Sequence, residues 1–221
     1  MKKRGFKRFY TLIEIMTVIV IAAILFGIGI PAFSTMIRGS NMTIAIRQLS
    51  SKIAAARAYA VTNATNESKV AVLLVGTSGA KEEYRCSAYR VCVVSGDSGS
   101  LTFQEWIEDE NWKTLPKGVL RVILSGDVAN FETISIDTTD IGGAASTSVK
   151  ALVFQKNGQL TQNSPTIRLC QGRYAGGNLV FTERADGGNI INQPITVNRY
   201  SGKVKVEETD DTKTESQMKG S

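Results

Sequence analysis

Hydrophobic and polar positions divide this chain into three regimes. From Thr11 to Ile37 (TLIEIMTVIVIAAILFGIGIPAFSTMI) the only ionisable residue is Glu14, and 27 such residues are long enough, as a helix, to cross a hydrocarbon layer of roughly 30 Å. After Arg38, apolar residues recur at Met42, Ile46, Leu49, Ile53, Ala56 and Ala60, in steps of three and four that predict a helix with one apolar stripe. Continued through Gly39 and Ser40, the two segments would make a rod of roughly 78 Å at ~1.5 Å per residue. Thr62 to Asn66 then end the helical period with residues that favour caps and turns. Beyond them the pattern changes to short strand-like runs at 69–75, 84–94, 119–124, 149–155, 166–170, 178–183, 195–200 and 203–206. Asn157-Gly158 and Ser201-Gly202 mark hairpin-type turns. Residues 96–118 read as a surface excursion in which Trp106 and Trp112 serve as packing anchors. The tail, 207–221, has no apolar period and reads as a disordered acidic segment.

Two residues of the first regime are out of place in a plain anchor. Glu14 puts a carboxylate at the edge of an apolar helix, at a cost of about 2.5 to 3.5 kcal/mol unless it is neutral or paired. Pro31 has no N–H to give and crowds the carbonyl of Gly27, so the helix is expected to kink there. Lys2, Lys3, Arg4, Lys7 and Arg8 precede the apolar run and no cation follows before Arg38. The positive-inside rule then holds the N-terminus in the cytoplasm and sends the remainder out.

Charge looks different once it is divided along the chain. The formal net charge is +6, with 26 basic and 20 acidic residues and no histidine. Five of the basic residues lie before Tyr10, so the remainder is nearly balanced at +1. That remainder is asymmetric: residues 81–149 sum to −5, 150–206 to +6 and 207–221 to −3. Solvated faces of opposite sign are the ordinary reading, and steering of a partner the functional one.

Several chemistries are excluded. Gly96 to Ser100 read GDSGS, close to a serine-protease nucleophile signature, but without histidine no such triad can be built. The same absence removes the usual zinc and iron ligand sets, and neither a phosphate loop nor a dinucleotide fingerprint occurs. Asp137 and Asp140 in a glycine-rich loop read as a turn rather than as a calcium site. We therefore expect no enzyme, no metal and no cofactor. The cysteines Cys86, Cys92 and Cys170 allow at most one disulfide, Cys170 with Cys86 or Cys92, and buried free thiols are the other reading.

The N-terminal pattern resembles that of type IV pilins and type II secretion pseudopilins: a short basic leader, an aromatic residue, TLIE and a long apolar run with a proline. Here these are residues 1–9, Tyr10, Thr11 to Glu14, and Pro31. The order of helix, strands and a terminal Gly202-Lys203-Val204-Lys205 is similar to minor pseudopilins of the GspH or FimT type. The resemblance implies an α+β, pilin-like fold, with a long N-terminal helix (transmembrane in its first half) packed on an antiparallel β-sheet domain. Its expected segments are a leader 1–9, an assembly helix 10–37, an amphipathic continuation 38–66, a β-rich domain 67–206 and the tail 207–221. It implies cleavage by a prepilin peptidase between Phe9 and Tyr10, although Phe9 stands where the family has glycine, and methylation of the new N-terminal amine. It further implies insertion in the inner membrane with the domain periplasmic, contact with membrane lipid and an assembly platform, and incorporation among other subunits of a pilus or pseudopilus. Glu14 would pair there with a neighbour's N-terminal amine. FimT-like pilins use basic residues of the terminal motif on DNA, which would map onto Arg199, Lys203 and Lys205. Against that reading, lysine stands at both motif positions in place of the bidentate arginine fork.

Overall fold

A computed structural model of the chain describes residues 11–107 and 111–219. It has one long helix, α1 (Leu12–Asn63), followed by twelve strands and a final turn of helix. The chain forms two compact units, divided between Ser40 and Asn41.

In the first unit the side chains of α1 are exposed from Leu12 to Phe26 except for Ala22. Leu12, Ile13, Val18, Leu25 and Phe26 all have more than 60% of their surface open. The helical backbone is uninterrupted through Pro31 and through Gly39-Ser40.

The second unit holds the rest of α1 and all the strands. Its first sheet has the order β3-β2-β1-β7-β6, built from β1 (Ser68–Leu74), β2 (Ala88–Ser95), β3 (Thr102–Trp106), β6 (Glu132–Ile136) and β7 (Thr147–Phe154). The short β4 (Lys113–Thr114) extends the β3 edge along β2. The second sheet runs β11-β10-β8-β5, from β5 (Val119–Val122), β8 (Thr166–Ala175), β10 (Ile190–Val197) and β11 (Val204–Val206). To it are added β9 (Asn178–Phe181) on the far half of β8 and β12 (Asp210–Lys213) on β10. Every strand pair is antiparallel.

The stripe Ala45, Leu49, Ile53, Ala56 and Ala60 sinks into the core between the two sheets. It meets Val70, Val72, Leu74, Leu152 and Phe154 of the first sheet and Ile167, Leu169, Ile195 and Val197 of the second. Period-two alternation then turns the intervening residues of the first sheet the other way. Ala71, Leu73, Cys92, Ile134, Val149, Ala151 and Val153 make a separate core, closed by Phe103, Trp106 and Trp112. Both faces of β1 and β7 are thus dry because the sheet curls until its outer strands, β3 and β6, touch. That explains why VAVLL and ALVF read as continuous apolar runs instead of alternating ones.

The expected fold class is corrected by these observations. The β-rich domain has two sheets with four buried apolar clusters, not one sheet against a helix. Only the part of α1 after Ser40 belongs to it, and the apolar half of the helix lies in the other unit. Among the described residues no helix is long and apolar enough to cross a membrane. The single-pass inner-membrane placement is overturned on the same ground.

Each of the eight expected strand runs overlaps an observed strand, and 195–200 covers only the last three residues of β10. The excursion 96–118 contributes β3 and β4, and ETISI of β6 was not anticipated. The tail is also ordered. Residues 210–213 form β12, α2 (Glu215–Met218) follows with a Thr214–Gln217 capping box, and the side chain of Met218 is fully buried.

The turns at Asn157-Gly158 and Ser201-Gly202 meet at one point. Both glycines have positive φ, 76° and 62°. Arg57 on α1 donates from Nε to the Gly158 carbonyl at 3.3 Å, and a Cβ on Gly202 would collide with that carbonyl and with the Arg57 side chain. Gly202→Ala should therefore lower stability by about 1–3 kcal/mol through strain and displacement. Urea unfolding checks this, and an unchanged midpoint would contradict it.

Candidate functional site

The N-terminal end of α1 is closed by its own residues. The backbone N–H of Thr11 donates to Glu14 Oε2 at 3.3 Å, and the backbone N–H of Glu14 donates to Thr11 Oγ1 at 3.3 Å. This reciprocal arrangement is a capping box, which TLIE spells as T-x-x-E, and the sequence reading missed it. Beyond the cap the helix exposes an apolar surface from Leu12 to Phe26, broken only at Ala22. Phe9 and Tyr10 lie outside the described residues, and at Pro31 only the helical backbone is described.

The basic residues of the terminal motif lie at the edge of the second sheet. β11 pairs with β10, placing Lys205 opposite Thr196. The side chain of Arg199 donates to Asn163 Oδ1 at 2.9 Å, and its guanidinium stands 5.8 Å from the ring centroid of Tyr200, which is 72% exposed. Thr196 Oγ1 donates to Glu207 Oε1 at 2.8 Å, so a carboxylate occupies the same edge as Lys205. Arg199 thus lies in the turn before β11 beside the exposed ring of Tyr200, while Lys205 stands on β11 opposite Thr196, the residue that binds Glu207.

The three cysteines are buried free thiols. Residues 84–87 form a turn before β2, with Cys86 at φ 54°, so Cys86 and Cys92 do not share a strand. Cys92 faces the inner core of the curled first sheet, whereas Cys86 and Cys170 belong to one cluster on the outer face of the second. Burial pushes all three thiols up: Cys92 to about 12 against the pull of Arg90, Cys86 against Arg121 and Arg85, and Cys170 furthest, against Arg168. Burial conversely lowers the Arg121 guanidinium to about 10. One of its nitrogens donates to the carbonyl of Val75.

The GDSGS loop is held from below. Glu132 accepts from Ser98 Oγ at 2.5 Å, from the Gly99 N–H at 3.1 Å and from Thr161 Oγ1 at 3.2 Å. Ser98 thus donates to a carboxylate, and the chain has no imidazole to stand in its place. Asp137 accepts from the N–H and hydroxyl of Thr139, which hold it below the usual carboxylate range, and Asp140 pairs with Arg90 at 3.3 Å. Two features had no clear signal in the sequence. Arg90 stacks 3.7 Å from the Trp106 centroid, joining Phe103, Trp106 and Trp112 in an aromatic shelf. A polar cleft of about 480 Å³ opens between the start of β1 and the 155–157 turn, where Lys69, Asp97 and Lys156 carry its charge.

No family model, curated protein or solved structure matches this chain.

The thiols make a pH prediction. A thiol raised by folding contributes stability below its unfolded value of ~8.5 that is lost as pH rises towards the folded value. Stability should therefore fall between pH ~8.5 and 12, and Cys92→Ser should flatten that slope even though the variant is weaker overall. Chemical denaturation at several pH values checks the slope, and an identical slope in the variant would refute the assignment.

Proposed function

We propose that this chain is a non-catalytic filament subunit, a minor pilin or pseudopilin of a type IV pilus or type II secretion pseudopilus. The observation that carries this reading is the exposed apolar helix Leu12–Phe26, joined through one chain to an ordered β-rich domain. Soluble chains rarely leave a contiguous apolar surface of that extent uncovered. Packing against the same helix of neighbouring copies covers it without any further component. The TLIE motif supports the reading from the sequence side, as do the basic residues before it. Processing between Phe9 and Tyr10 would then free an amine for a neighbour's Glu14.

In that assembly Glu14 exchanges an internal role for an external one. A glutamine at position 14 keeps the capping geometry but loses the charge, so the two roles can be separated. Glu14→Gln should leave the domain's unfolding unchanged and cut recovery of the subunit in sheared filament fractions at least ten-fold relative to wild type. Recovery at the wild-type level would overturn the pairing role.

The exposed Tyr200 beside Arg199 favours a second reading, a subunit that also holds nucleic acid. Cations would contact phosphates and the ring would stack on a base. Replacing Lys203 and Lys205 together by alanine should weaken retention on single-stranded DNA and reduce its log-log salt slope by about 1.4, at ~0.7 per lost phosphate contact on single strands. Unchanged retention would remove this reading and leave the first intact.

A further inference from the structure

The last ten described residues are bound to the second sheet as a peptide ligand would be. β12 adds to β10, with Asp210 opposite Asn192 and Lys213 opposite Ile190. The amide of Asn192 donates to the Asp210 carbonyl at 2.7 Å, and Arg168 Nη1 donates to Asp210 Oδ2 at 2.7 Å. Thr214 then starts α2, which lowers Met218 into the cluster formed by Cys86, Leu120, Cys170, Leu179, Phe181 and Ile190. Glu215 accepts from Arg184 and, at 2.5 Å, from Lys219. Strand addition, an anchoring side chain in an apolar pocket and paired charges together define a recognition mode for extended segments.

The composition of this segment sets it apart from the strands around it. DDTKTESQMK contributes one apolar side chain, Met218, to the core, and the rest of its attachment is ionic or hydrogen-bonded. Glu207 to Thr209 separate it from β11, and the side chains of all three are exposed. The groove beneath it is, by contrast, closely apolar and contains two thiols. A segment with one apolar anchor leaves more readily than the sheet it covers, and every copy of the chain carries the identical segment. We propose that the Met218 groove is an intersubunit socket, and that the segment Asp210–Lys219 of a second copy of this chain takes the place of the subunit's own tail. The tail seated in its own groove is then the resting form of a strand-exchange contact. This contact involves neither α1 nor Glu14, so it stands apart from the filament reading.

The test uses the full-length chain with methionine replaced by its photoreactive diazirine analogue. Equal amounts of unlabelled and nitrogen-15-labelled protein are mixed, irradiated and digested. Adducts from position 218 to the peptides containing Leu120, Phe181 or Ile190 should include mixed-isotope pairs, in a proportion that rises with protein concentration. Adducts found only within one isotope class at every concentration would overturn the proposal. A second measurement avoids reliance on spontaneous exchange. The full-length Met218→Asp variant should bind a fluorescent peptide of residues 207–219 at least ten-fold more tightly than wild type, and that peptide should protect Cys170 of the variant from maleimide. Equal affinity for both proteins, or equal affinity for a peptide that itself carries Met218→Asp, would rule out the socket.

Discussion

The domain depends on a single seam where α1 meets both sheets at once. Ala45, Ala56 and Ala60 let the helix come close, and Leu49 and Ile53 fill the space between. Because residues of both sheets share one core with these five side chains, neither sheet has a closed inner face without the helix. Leu49 and Ile53 are fully buried, so each contributes about 1.5–3 kcal/mol by transfer alone, and neither could shrink without opening a cavity shared by three elements. This geometry also fixes which residues of α1 are structural. Arg57 sits on the same segment, and its contact with the Gly158 carbonyl ties the helix to two turns of the domain.

The curled first sheet is a consequence of how few elements remain to cover it. With α1 and the second sheet on one face, the other must be closed by the sheet itself, by β3, β6 and the tryptophans of the 101–112 segment. Glu132 then becomes part of the closure, because it holds the 98–99 loop and Thr161 over the rim. Arg121 illustrates the opposite cost. Its charge is fully buried, and its value of about 10 leaves it protonated at neutral pH. The Val75 carbonyl beside it supplies only a partial dipole in compensation. An arginine in that position links β5 to the end of β1 at a cost that a hydrophobic residue would avoid.

The sequence was legible where one periodicity ruled a segment. The stripe from Met42 to Ala60 and the strand runs are visible because side chains of one kind face one core. What stayed hidden needed long-range information. The alternation in ETISI is short and follows a turn, and Gln193 and Pro194 disguise the first half of β10 as a loop. The tail is polar because its partners are charged groups elsewhere, Arg168 and Arg184, and a single methionine at position 218 gives no period to read. Its composition said disorder, and complementary charge on the second sheet decided otherwise. The membrane reading failed for a related reason: a hydropathic run reports that a surface avoids water, not which apolar partner it takes. Of the site residues, Glu14 has a partner three residues away that the apolar pattern does not announce.

That last contact bears on how a filament could form. A capping box is worth about 0.5–2 kcal/mol, and the intersubunit pairing of the filament reading would withdraw the Glu14 carboxylate from it. In a charge pair shielded from water by packed apolar helices the attraction is stronger than in an exposed one, because the local dielectric falls while the distance stays short, and that attraction has to outweigh the desolvation of both charges. The same burial makes an unpaired carboxylate costly, which on that reading would make Glu14 a test of register: a subunit arriving out of step would bury the charge without its partner. In the free chain the Thr11 cap satisfies that carboxylate, so on the filament reading the apolar helix would stay exposed until a matching neighbour supplied a stronger contact.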